Sequence, residues 1–220
     1  METNQARRKL LQGSAGILGM LASGSVFAKT IATACGLTPA QTSGPFYPIH
    51  SQPDTDNDLT QVNGSTRTAL GEVVHIYGMV QDEACKPVPG AWVEIWQACA
   101  SGRYNHPSDT NPAPIDPDFQ YWGKCVTDAN GEYHFTTVKP GAYPASETWM
   151  RPPHIHFKVH KLGFMELTTQ MYFAGEPLND QDDILKQVPS TSRSSVIVEF
   201  GVESGGEIGR GRFDMTIRRP

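Results

Sequence analysis

The sequence predicts an all-β fold: a single-domain β-sandwich with long site-bearing loops and an irregular N-terminal arm. Three observations lead there. The 220 residues include 21 Gly and 17 Pro, a bias that suits many short strands joined by tight turns, because Gly supplies positive φ and Pro fixes φ while removing a ladder donor. From Glu72 onward the chain breaks into short runs of alternating apolar and polar residues. The separators Lys86-Pro87-Val88-Pro89-Gly90, Asp128-Ala129-Asn130-Gly131 and Lys139-Pro140-Gly141 put Gly or Asn where a turn wants positive φ. With 38% hydrophobic and 19% charged residues the chain can bury one substantial core.

In chain order, residues 1–28 read as an export signal. Arg7-Arg8-Lys9 precedes a Gly-interrupted apolar stretch that ends in Val26-Phe27-Ala28. The paired arginines and modest hydrophobicity resemble twin-arginine signals, which export folded proteins, so the mature chain is expected in the periplasm or outside the cell, with no membrane span. Lipid attachment at Cys35 is a further option, although Ala32-Thr33-Ala34 fits that pattern poorly. Residues 29–70 lack any sustained period and read as the irregular arm, and residues 71–220 read as the sandwich. Strands are expected over 73–80, 91–98, 123–127, 132–138, 154–161, 167–173, 195–202 and 212–218, with one short helical stretch near 181–187. The connections 99–122 and 139–153 are too polar and Pro-rich to be strands, and loops of that length on a rigid sheet are where sites are built.

A net charge of −5, with no basic stripe beyond the first residues, leaves no footprint for a phosphate backbone, so nucleic acid is not an expected partner. Four cysteines, Cys35, Cys85, Cys99 and Cys125, would enter an oxidising compartment, where one or two disulfides are plausible. Cys85 and Cys99 flank one strand and are therefore poor mutual partners, and no spacing suggests zinc.

In a strand, side chains i and i+2 share a face, so His154-Ile155-His156 aims two imidazoles at one point. Alone this is a weak metal signal. Acidic complements would be Asp116, Asp118, Asp128 and Glu132, none at a compelling spacing. Tyr104 and Tyr143, each just after a Gly in one of the two long loops, offer a second route. A phenol of pKa ~10 ligates only a strongly Lewis-acidic cation, which favours Fe(III) over Zn(II) or Fe(II).

Five segments carry a resemblance: Pro87 to Gln97, Gly102-Arg103-Tyr104, Thr127 to Tyr133, Lys139 to Pro144 and Arg151-Pro152-Pro153-His154-Ile155-His156-Phe157. In order and spacing they resemble the intradiol ring-cleavage dioxygenases, the protocatechuate 3,4-dioxygenase branch in particular. The resemblance implies a mononuclear non-haem Fe(III) held by Tyr104, Tyr143, His154 and His156, with a catechol-type substrate and O2 as partners and a muconate-type diacid as product. It further implies that Tyr143 leaves its position when substrate binds and takes a substrate proton, that Arg151 stabilises charge developing on the ring, and that Gln170 lies near the substrate or else faces outward on its strand. Trp149 and Phe46-Tyr47 are candidate pocket walls, and His106 is expected in solvent. A homo-oligomer is compatible with all of this. The competing readings are a secreted transthyretin-like β-sandwich that binds without catalysis and an iron or copper oxidase using His154, His156 and an acidic residue.

Overall fold

The computed structural model describes residues 34–50, 52, 54–202 and 208–220, so the expected export signal over 1–28 lies outside the described residues. In chain order the strands are β1 (Val73–Asp82), β2 (Trp92–Trp96), β3 (Trp122–Val126), β4 (Glu132–Val138), β5 (Tyr143–Pro144) and β6 (Met150–Arg151). They continue as β7 (His154–His160), β8 (Leu167–Phe173), β9 (Ile197–Val198), β10 (Phe200–Val202), β11 (Gly209–Arg212) and β12 (Met215–Ile217), with one short helix, α1 (Asp183–Gln187), after β8.

Alternation builds the first sheet. Every second residue of β1 from Val74 to Val80 is buried, the pattern of a strand with one wet and one dry face. β4 pairs antiparallel along one edge of β1. β11 and then β12 pair parallel along the other, and β10 adds antiparallel to β11. The second sheet runs β3-β2-β7-β8-β9. The two inner faces meet edge to face: the Phe135 ring stands 6.4 Å from Phe157 at 84°, and Tyr133 stands 6.2 Å from Phe157. Ile76, Ile95, Phe135 and Phe157 are fully buried there, and truncating such a phenylalanine costs about 3–5 kcal/mol. This is the expected β-sandwich.

Two expectations are corrected. The run 195–202 is not one strand: Ser190–Ser195 closes a 3-10 turn, β9 then joins β8 in the second sheet, and β10 joins β11 in the first. The chain changes sheets between Val198 and Phe200, which hydrophobic alternation cannot show. The connection 139–153 does contain strand, because β5 and β6 form a small antiparallel ladder that sets Tyr143 opposite Arg151.

The arm is pinned at several points. A disulfide joins Cys35 to Cys85, leaving Cys99 and Cys125 as free thiols, so the Cys35 thiol is engaged and lipid attachment there is set aside. Thr38 and Gln41 donate backbone N–H bonds to Thr216 and Thr168, and Leu59 inserts a fully buried side chain while donating to Thr136.

Candidate metal centre

Period two divides β7 as expected. Ile155, Phe157 and Val159 enter the core between the sheets, whereas His154 and His156 face the other side of the second sheet. That side is covered by a second, aromatic cluster of Trp96, Tyr104 and Tyr143, with Phe46 and Tyr47 packed against it. The histidines are consequently only 2% exposed.

Two glycines bring the tyrosine loops together. Gly141 donates its N–H to Cys99, and a Cβ on Gly141 would lie 2.5 Å from the Ala100 carbonyl. Gly102 has φ +83°, and a Cβ there would run into the Ala142 carbonyl. Only chains without side chains at both positions can approach this closely. The result is a closed circuit of four rings: Tyr104 to Tyr143 at 5.5 Å, Tyr143 to His154 at 5.6 Å, His154 to His156 at 5.0 Å and His156 back to Tyr104 at 6.4 Å. The four predicted residues, far apart in the chain, meet at one place.

Their polar atoms are poised rather than satisfied. His154 Nδ1 lies 2.7 Å from the Pro152 carbonyl; a carbonyl only accepts, so Nδ1 carries the proton and Nε2 keeps a lone pair. Nε2 of His154, Nδ1 of His156 and the Tyr104 hydroxyl are all buried without a partner. Orphaned buried polar groups cost about 1–3 kcal/mol each, and three in one cluster mark a place where a ligand completes them. Burial, followed by the Arg151 charge, holds both imidazoles neutral, pushing His154 well below its usual pKa and His156 down to about 3. Burial likewise raises the Tyr104 phenol, helped by Tyr143, and raises Tyr143 despite the opposing pull of Arg151. Two neutral imidazoles and two protonated phenols form a donor set that only a hard, strongly acidic cation can deprotonate and occupy, so the residues fit Fe(III). Among the described residues no group of three or more His, Cys, Asp or Glu is placed to hold a metal. The acidic candidates are occupied elsewhere: Asp116 accepts from Leu70 and Asp118 N–H groups, Asp128 from those of Asn130 and Glu132, Asp118 pairs with Arg67, and Glu132 is exposed at the start of β4. Any ion at the two histidines must therefore draw further donors from the phenols.

Stacking fixes the ring planes. Trp96, paired with His156 across β2 and β7, stacks on its imidazole at 4.8 Å and 6°. The Tyr104 backbone N–H donates to Asp109 at 2.6 Å. Arg151 is 4% exposed and donates through Nε to Asp182 and through Nη2 to Gln170 at 2.7 Å. Gln170 is fully buried, its amide donating to the Thr42 carbonyl, so it stands behind Arg151 rather than outward on its strand. Tyr172 bonds both Gln170 and Gln41.

A cavity of ≈580 Å³ opens onto Tyr143 and Arg151, with Phe46, Trp149 and Ile184 among its walls. Tyr47 does not reach it, standing instead edge-on to Trp96 and donating to Glu94. His106 accepts from the Ser108 N–H and lines a neighbouring hollow. Three other cavities, of ≈470 to ≈540 Å³, touch none of the four rings.

Asp182, Asp109, Trp96, Tyr172 and Gln41 were not legible as site residues. Asp182-Asp183 before an apolar pair carried a helix-cap signal, but nothing tied it to Arg151.

Fold and site together define an all-β protein with a four-ring donor cluster that meets a ligand-sized cavity through Tyr143. Residues 42–218 match the family model described as Dioxygenase. The protocatechuate 3,4-dioxygenase beta chain of Burkholderia cepacia is 42% identical over 181 residues, covering 79% of this chain and 76% of that protein. Catechol 1,2-dioxygenase 2 of Acinetobacter lwoffii is 33% identical over 188 residues, but this chain spans only 65% of its length. Among solved structures, the dioxygenase domain of a dioxygenase carbohydrate-binding protein fusion from the cellulolytic bacterium Streptomyces sp. SirexAA-E aligns with a TM-score of 0.61 at 30% identity, over 84% of this chain and all of that one. The chain belongs to the Dioxygenase family, the intradiol ring-cleavage enzymes.

Proposed function

We propose that this chain is an exported, Fe(III)-dependent dioxygenase that cleaves a catechol-type ring between its two hydroxyls, placing both atoms of O2 in a muconate-type diacid. The observation that carries the reading is the closed circuit of Tyr104, Tyr143, His154 and His156, three of whose polar atoms are buried without a partner. Tyr104, Tyr143, His154 and His156 would hold the iron. Bound there, Fe(III) would supply the Lewis acidity that activates a catechol towards O2.

The chain's own groups do the rest. Tyr143 is the only one of the four rings on the cavity wall, which suits it to meet the substrate and, as the phenolate that metal binding would leave, to take a hydroxyl proton at Oη. Arg151, opposite Tyr143 and held from behind by Asp182 and Gln170, offers fixed positive charge where negative charge develops on the ring. Phe46, 4.6 Å from Tyr104, and Trp149 keep water from the reacting face. The Cys35–Cys85 disulfide supports an oxidising destination and, with the paired arginines, export by the twin-arginine route.

The test is product analysis. Iron-loaded protein given a catechol under ¹⁸O2 should yield a diacid carrying two labelled oxygens. Recovery of an extradiol aldehyde, or of unaltered catechol, would overturn the reading.

A further inference from the structure

We infer that the substrate ring carries an uncharged, apolar substituent: the class is an alkyl- or aryl-substituted catechol, not a ring carboxylate. This rests on the catechol-cleaving reading above and goes beyond it.

The charges of the cavity carry the inference. Its wall holds one cation, Arg151, and one anion, Asp109, among the described residues. Arg151 is already committed, its Nε bonded to the fully buried Asp182 at 2.6 Å and its Nη2 to Gln170. Asp109 accepts only the backbone N–H groups of Tyr104 and Asn111 and forms no ion pair among the described residues. A carboxylate brought in on the ring would lose its water, find no cation in the wall beyond Arg151, whose charge serves the reacting ring beside Tyr143, and face Asp109, which has no ion-pair partner among the described residues. An unpaired charge removed from water is the costliest occupant a cavity can take. The remaining polar wall groups include Ser108, Thr110 and Asn111, and the Asn111 side chain is itself spent on Gly102 and Ala113.

The other walls suit hydrocarbon. Pro45 and Phe46 come from the arm, Pro144 and Trp149 from the β5–β6 segment and Ile184 from α1. The ≈580 Å³ they help enclose lies within the ~300–1,000 Å³ range of sites for drug-sized ligands, more than one bare dihydroxybenzene ring needs. Ile184 is half-buried on the first turn of α1, so a longer side chain fits there without disturbing the core.

The experiment compares 4-tert-butylcatechol with protocatechuate, by oxygen uptake on iron-loaded protein and by quenching of tryptophan fluorescence on iron-free protein. The expected result is a kcat/KM at least about 10-fold higher, and a tighter Kd, for the butyl compound. Ile184→Lys, which adds a cation to the wall, should narrow the kcat/KM ratio by about 10-fold. Equal or better turnover and binding of protocatechuate by the unaltered protein would overturn the inference while leaving ring cleavage intact. Tighter binding of the butyl compound with no oxygen uptake from either would instead overturn ring cleavage and uphold the pocket's preference.

Discussion

Asp182 Oδ2 accepts the Arg151 Nε–H at 2.6 Å, with both side chains at most 5% exposed, while Oδ1 of the same carboxylate caps α1 through the Leu185 N–H. One buried group thus fixes both the start of the helix that walls the cavity and the cation at the cavity's base. Removing it with Asp182→Ala leaves a buried guanidinium unpaired, so the expected loss is about 3–5 kcal/mol of stability, together with a fall in kcat/KM. Asp182→Asn keeps a good N-cap and should recover part of the stability but little of the activity. Urea unfolding and oxygen uptake on both variants separate the two effects.

The Gly102–Gly141 contact is the point where the tyrosine loops are joined. Gly102→Ala forces both a positive φ and a clash with the Ala142 carbonyl, at a cost of about 1–3 kcal/mol. Because the strain falls between Tyr104 and Tyr143, iron content should drop more sharply than stability. Metal analysis of purified protein checks this, and a variant with full iron content would show that the loops tolerate separation.

Much of this was legible from local pattern. The alternation in Val73–Asp82 and His154–His160 sets which side chains enter the core, so the pairing of His154 with His156 on one face follows from two-residue periodicity alone. Tyr104 and Tyr143 are candidates because each follows a Gly within a long loop. What stayed hidden depends on distance in the chain. Arg151 and Asp182 are 31 residues apart and meet only after β7 and β8 have paired. The parallel docking of β11 and β12 on β1, and the sheet change between β9 and β10, leave no mark on hydrophobic order. Cys35 pairs with Cys85 because the arm folds back along the end of β1, a path that its irregular sequence does not encode.

That disulfide closes a separation of 50 residues, for which chain entropy predicts about 4 kcal/mol of stabilisation. Cys85→Ser, or reduction of the native protein, should lower the urea midpoint accordingly. Cys99 and Cys125 should remain the two thiols titrated in unreduced, unfolded protein; four thiols would mean that the bridge does not form.

Alkaline pH should destabilise the fold. Burial and the Glu94 carboxylate push the Tyr47 phenol up to about 12, and burial raises the Cys125 thiol from 9.0 to about 12. Both groups bind their protons more tightly folded than unfolded. Their stabilisation is complete below the unfolded values, ~9 for the thiol and ~10 for the phenol, and is lost as pH rises through about 12. Tm measured across this window should fall steadily, and Cys125→Ser should flatten the fall between pH 9.0 and about 10.

The most direct test of the metal centre is the visible spectrum of protein reconstituted with one equivalent of Fe(III). The account predicts a red-brown tyrosinate-to-iron absorption that shifts on adding a catechol, is lost in Tyr104→Phe and persists with altered substrate response in Tyr143→Phe. A colourless protein that takes up Fe(III) no better than the His154→Ala variant would contradict it.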